Sequence, residues 1–244
     1  MAIGGAQAAP VVGSSSGSFT NPDPSGPAST CSNNPGQAVC GVQGTGNSQL
    51  YWGSTQEGYY DWFGHPYQQI TNPSTLTANP VTINTSTPTN DTVIGSLTWF
   101  NSSTLSDRTP SALTSTYTLN VGFTVPAGST GDSQAFSITI ENTPNPQGDY
   151  IVNGLTLTNL DGLSFSLPGI TVSDLHYVCA TGCGRNGATF TTSSNSSSWF
   201  NPEGNTSTLE IVADFTQTAT PEPASMTVLG AGLVGLGLVR RRKA

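Results

Sequence analysis

Charge is what this sequence has least of. Of its 244 residues only 8% are Asp, Glu, Lys or Arg, with 6 cations against 14 acids. Four of those cations are Arg240, Arg241, Arg242 and Lys243, which leaves Arg108 and Arg185 for the rest of the chain. The formal net charge is −8, and −12 without the terminal cluster. A surface this acidic has almost nothing to set against phosphates, so nucleic acid is excluded as a partner.

Histidine is almost as scarce, with only His65 and His176. Neither belongs to an H-E-x-x-H motif or has a second ligand at metal spacing, and a packed or surface side chain is the expected role of each. A Ser-His-Asp triad built on His176 across the fold is the sharper alternative. Gly13-Ser14-Ser15-Ser16-Gly17 formally matches G-x-S-x-G. The motif needs a strand before it and a helix after it, and this stretch reads as low complexity instead. Asp91, Asp149 and Asp161 sit in carbonyl-rich loops of the kind that hold calcium weakly, but no EF-hand or nonapeptide repeat is present. No metal, cofactor or catalytic residue is expected.

Helical periodicity is also missing before Ser225; what is there instead is alternation. Tyr117, Leu119, Val121, Phe123 and Val125 alternate with polar residues, as do Leu209, Ile211, Ala213 and Phe215. Period two with polar partners predicts half-buried strands. Runs of β type occur at 44–53, 80–84, 92–100, 114–125, 134–141, 150–159, 163–167, 170–178, 188–192 and 208–216. Turn signals such as Pro126-Ala127-Gly128, Asp161-Gly162 and Pro168-Gly169 separate several of them. The expected fold is all-β, an antiparallel sandwich of jelly-roll type. From about Gly13 to Gly46, Ser, Asn, Gly and four prolines predict an irregular lead-in.

Aromatic residues concentrate at Trp52, Tyr59, Tyr60 and Trp62. Such rings suit core packing or stacking on sugars. Alternation puts Tyr51 and Trp52 on opposite faces of their strand, so one of the two is expected to look away from the core. Glu57 and Asp61 lie close by, and a glycosidase would need two such carboxyls about 5–9.5 Å apart across a cleft. Solvated loop acids are the plainer reading. The sequons at Asn84, Asn90, Asn101, Asn195 and Asn205 follow from composition, while a Ser/Thr-rich exported surface invites O-glycosylation.

The end of the chain is different in kind. Residues 226–239 carry no charge and run straight into Arg240-Arg241-Arg242-Lys243. A bilayer holds such a segment with its basic end in the cytoplasm. The sixteen residues 224–239 would span about 24 Å as a helix, short of a hydrocarbon core of about 30 Å. Together with Pro221-Glu222-Pro223-Ala224, the segment resembles the PEP-CTERM sorting signal of bacterial surface proteins. The resemblance implies recognition by an exosortase, a membrane transpeptidase cutting near Pro221 to Ala224, and delivery to the cell surface or an exopolysaccharide matrix.

Export fixes the reading of Cys31, Cys40, Cys179 and Cys183. An even set in an exported chain implies disulfides, and neither close pair has the C-x-x-C spacing of a zinc site. Of the three connectivities, the local pairs Cys31–Cys40 and Cys179–Cys183 close the shortest loops. At the other end, Ala6-Gln7-Ala8-Ala9 looks like a leader cleavage site, though no cationic start or apolar stretch precedes it.

A second resemblance covers roughly residues 19–216. The segments Gly44 to Gly53, Ile94-Gly95-Ser96-Leu97-Thr98-Trp99-Phe100-Asn101 and Glu141-Asn142-Thr143-Pro144-Asn145 are similar to the choice-of-anchor K family of bacterial extracellular β domains. That family implies no catalytic residues. The expected organisation is a residual leader (1–16), a sandwich (17–216), a linker with the Pro-Glu-Pro triplet (217–223), a transmembrane helix (224–239) and a cytoplasmic basic tail (240–244). The expected role is a non-enzymatic surface or matrix protein associated with exopolysaccharide. A carbohydrate-binding module and an exported glycan hydrolase are the alternatives.

Overall fold

The structure, a computed structural model, describes residues 8–26, 40–54, 59–60, 66–67, 72–106, 108–184 and 186–218, with the backbone alone at 59–60 and 66–67. The strands are β1 (Pro10–Ser25), β2 (Cys40–Gln43), β3 (Gln49–Trp52), β4 (Tyr59–Tyr60), β5 (Pro66–Tyr67), β6 (Ser74–Asn79), β7 (Val81–Ser86) and β8 (Thr89–Phe100). They continue with β9 (Ala112–Val125), β10 (Asp132–Glu141), β11 (Asp149–Val152), β12 (Ile170–Thr181), β13 (Thr189–Thr192), β14 (Ser197–Asn201) and β15 (Thr206–Gln217). One sheet has the order β13-β14-β11-β10-β9-β1-β7 and a second β12-β15-β8-β6-β3-β2, while β4 and β5 pair with each other. Every ladder is antiparallel, as the alternating runs require.

The core lies between the two sheets. Tyr117, Leu119, Val121 and Phe123 of β9 are buried, as are Leu209, Ile211, Ala213 and Phe215 of β15. Two aromatic groups fill much of the space. Trp99 packs on Trp52 with ring centroids 6.4 Å apart and edge-on against Trp199 at 5.4 Å. Tyr117 sits between Phe19 and Phe136 at 5.4 and 5.5 Å. Close-packed rings of this size contribute the largest apolar areas in the interior.

The expected boundary between leader and sandwich at residue 17 falls within a strand. β1 starts at Pro10 and pairs with β7 from Pro10 to Ser15 and with β9 from Val12 onward. Residues 13–25 of the expected irregular lead-in are therefore strand, lying inside the sheet between β9 and β7. Its small residues are the reason it forms there. A Cβ on Gly17 would lie 2.6 Å from the Tyr117 ring and from the Ala78 methyl, so larger side chains would not fit beneath β9. Pro22 falls where a bulge between Thr20 and Asp23 interrupts the register, and Pro24 follows just beyond it, opposite Leu113. Ala9 closes this end by exchanging hydrogen bonds with Thr87: its N–H donates to the Oγ1 at 3.0 Å and its carbonyl accepts the Thr87 N–H at 2.9 Å.

Other expectations shift too. The run at 150–159 is a strand only over Asp149–Val152, and Leu157–Leu160 forms one α-helical turn, α1, capped by the Thr156 hydroxyl on the Asn159 N–H at 3.2 Å. At 163–167 only isolated bridges occur, Thr130 with Ser166 and Leu167 with Ile170. Strands β6 and β14 lie outside the runs marked by sequence. The expected C-terminal helix at 224–239 lies outside the described residues, and among those residues no helix is long and apolar enough to cross a membrane.

Candidate functional site

Three connections meet at one end of the sandwich: residues 101–111 between β8 and β9, 142–148 between β10 and β11, and 202–205 between β14 and β15. Asparagine side chains tie them together, because loop backbone lacks the ladder partners that strands have. Asn101 is fully buried; its Nδ2 donates to the Asn201 carbonyl at 2.7 Å and its Oδ1 accepts from the Ser74 hydroxyl at 3.2 Å. Asn201 donates in turn to the Trp99 carbonyl at 3.0 Å and the Asn205 carbonyl at 3.1 Å. Asn142 accepts the Trp52 indole N–H at 3.0 Å and donates to the Pro110 carbonyl. Asn145 donates to the Thr104 carbonyl at 2.6 Å. Trp52, Asn101, Asn142 and Asn145 thus secure the loops of a single end.

Between the first two connections lies a cleft of about 450 Å³, lined by Leu105, Thr109, Pro110, Pro144, Asn145 and Asp149 among others. Asp149 is 2% exposed, and its Oδ1 accepts the Thr143 N–H at 2.8 Å. Burial pushes its carboxyl up to about 6, against the pull of the hydrogen bonds from Thr143 and the Asn101 side chain. Glu203, on the third connection, is pushed up to about 7 by burial first and by the nearby negative charge of Asp149 second, with a hydrogen bond to Ser103 opposing. Its Oε2 is buried and meets no hydrogen-bond partner. The two carboxyls feel one another but do not face each other across the cleft, since Asp149 lines it and Glu203 does not. Among the described residues no group of three or more His, Cys, Asp or Glu could hold a metal ion.

The sequence-derived aromatic site is partly corrected. Trp52 is fully buried and Tyr51 is 5% exposed, so neither looks into solvent. Alternation does put them on opposite faces of β3, but that strand is covered on both. Trp52 spends its ring on Trp99 and its N–H on Asn142, leaving no face for a sugar. Tyr59 pairs with Tyr67 and Tyr60 with Pro66 in the β4–β5 hairpin. Their side chains, with Trp62, Glu57, Asp61 and His65, lie outside the described residues. His176 stands half-buried on β12 with Nε2 3.5 Å from an Asp91 carboxylate oxygen and Nδ1 3.7 Å from one of Asp174. No serine hydroxyl among the described residues bonds to it.

Cys179 and Cys183 form the expected disulfide, with Cα atoms 6.2 Å apart, at the end of β12. Cys40 is also disulfide-bonded. Cys31, the partner expected for it, lies outside the described residues, as do Pro221 to Ala224 and Arg240 to Lys243.

Sequence reasoning missed an aromatic pair on the outer face, one ring exposed and the other half-buried. Tyr150 of β11 is 37% exposed and pairs across the strands with Phe200 of β14, ring centroids 5.0 Å apart. The signal was available: Ile151 and Trp199 point inward, so their neighbours Tyr150 and Phe200 must point out.

Residues 219–243 match the family model described as the PEP-CTERM protein-sorting motif. The motif supports an exported protein, sorted by an exosortase, anchored transiently at its C-terminal end and then carried on the cell surface. No curated protein matches the chain.

Proposed function

We propose that the chain is a non-enzymatic surface or matrix protein: a choice-of-anchor K type sandwich that an exosortase frees from its C-terminal anchor and that associates with exopolysaccharide. The sorting motif at 219–243 is the observation that carries this reading. A body with a net charge of −12 and a disulfide suits the oxidising exterior.

Fractionation followed by immunoblotting tests it. The expected product is shortened and found in the surface or culture fraction, and replacing Pro221, Glu222 and Pro223 with Ala leaves a longer species in the membrane. A full-length product confined to the cytoplasm would overturn the reading.

A further inference from the structure

Antiparallel pairing brings four outward side chains into one row across neighbouring strands. Glu141 of β10 pairs with Tyr150 of β11, Tyr150 with Phe200 of β14, and Phe200 with Thr189 of β13. Beside this row runs a second, in which Thr139 pairs with Val152, Val152 with Ser198 and Ser198 with Thr191. At about 4.8 Å between strands each row is about 14 Å long, enough to seat a short run of linked sugar rings. Of the outward side chains in these rows only Glu141 is charged. The surface thus offers two aromatic rings, flanked by hydroxyls and one carboxylate.

We infer that this outer face of the seven-stranded sheet docks an uncharged polysaccharide, with Tyr150 and Phe200 stacking on its rings and Glu141 and Thr189 bonding its hydroxyls. The inference rests on the proposed surface role, which places the domain among such polymers. Charge selects the occupant. An anionic glycan would meet Glu141 and a body of net charge −12 with no cation in either row. A second copy of the chain is disfavoured by area: a stable interface buries about 800 Å² per partner, and Tyr150 is the one large hydrophobic that the described residues expose. The sugar class suits what remains, because a ring with an apolar face and equatorial hydroxyls uses both the stacking faces and the bonding groups beside them. The two rings are tilted 44° to each other, so they match a chain that turns with the sheet rather than a flat crystalline layer.

Affinity electrophoresis of the exported protein tests this, in gels containing hydroxyethylcellulose, galactomannan or dextran, with alginate as the anionic control. At least one neutral polymer should retard the native protein. Tyr150→Ala should weaken that retardation about tenfold, corresponding to about 1.4 kcal/mol, while Tyr150→Phe keeps it. Phe200→Ala should weaken it likewise; Tyr150 is the more exposed of the two, so its variants carry the test if Phe200→Ala does not fold. No retardation by any neutral polymer, retardation by alginate alone, or equal retardation of native protein and a folded Tyr150→Ala would overturn the inference. A protein recovered outside the cell that no neutral polymer retards sinks the docking face and leaves the export reading standing; one confined to the cytoplasm sinks the export reading itself.

Discussion

The two outer faces of this sandwich have similar side chains and use them differently. On the six-stranded sheet the polar groups bond to one another across the strands. Gln43 donates to Gln49 at 2.5 Å, Gln49 to Thr77 at 2.8 Å, Asn79 to Thr98 at 2.8 Å, and Thr98 meets Thr208 at 3.2 Å. That face is closed on itself, a belt across β2, β3, β6, β8 and β15. On the seven-stranded sheet, the outward residues Thr116, Thr118, Ser137 and Thr139, exposed or half-buried, make no such side-chain bonds among the described residues. Cross-strand hydrogen bonds of the first kind stabilise a sheet; donors of the second kind are available to a ligand.

Both sheets share one core and should unfold as one cooperative unit, and the largest expected effect tests that. Trp99→Ala removes the ring shared by Trp52 and Trp199 and should cost about 3–5 kcal/mol, seen in denaturant as a single transition moved for all reporters. Two separate transitions would show that the faces unfold independently. Next, Asn142→Leu leaves the Trp52 N–H and the Pro110 carbonyl without their partners and should cost about 1–3 kcal/mol by the same measurement.

The loop end that joins the faces should respond to pH. Burial holds the Asp149 and Glu203 carboxyls protonated up to about 6 and about 7 in the folded protein, against ordinary values of 3.8 and 4.5. The folded state therefore binds more protons than the unfolded chain between these limits, and stability falls as pH rises through them. Thermal melts should show the highest Tm near pH 4, a decline towards pH 7 and little change above. Asp149→Asn with Glu203→Gln should flatten the profile; an unchanged profile would place the titration elsewhere.

The smallest effect sharpens the contrast between the faces. Thr77→Val breaks the belt at Gln49 and should cost about 0.5–1.5 kcal/mol, whereas Thr118→Val on the opposite face should stay within about 0.5 kcal/mol. Equal costs would remove the distinction between a bonded and a free face.

How much of this was legible depended on whether the controlling contacts were local. The alternation of Tyr117 to Phe123 and of Leu209 to Phe215 is local, and both runs appear as core-facing strands. β1 was hidden because Gly and Ser read as loop, while the constraint that selects them is the ring of Tyr117, a hundred residues away in sequence. Tyr51 and Trp52 were separated correctly by face, but burial on the outer side of β3 comes from outside the strand. The bond from Trp52 to Asn142 spans 90 residues, so no spacing could reveal that the indole was already taken. Asp149 is legible as a loop acid, but its proximity to Glu203 depends on two turns brought together only by the strand order.

Both faces matter to the cell only if the folded body stands outside it without its tail. Intact-mass analysis of the protein recovered from the cell surface or medium tests this most directly. The polypeptide should end near Pro221 to Ala224 and lack Arg240 to Lys243. A mature surface protein whose mass still includes every residue to Ala244 would contradict it.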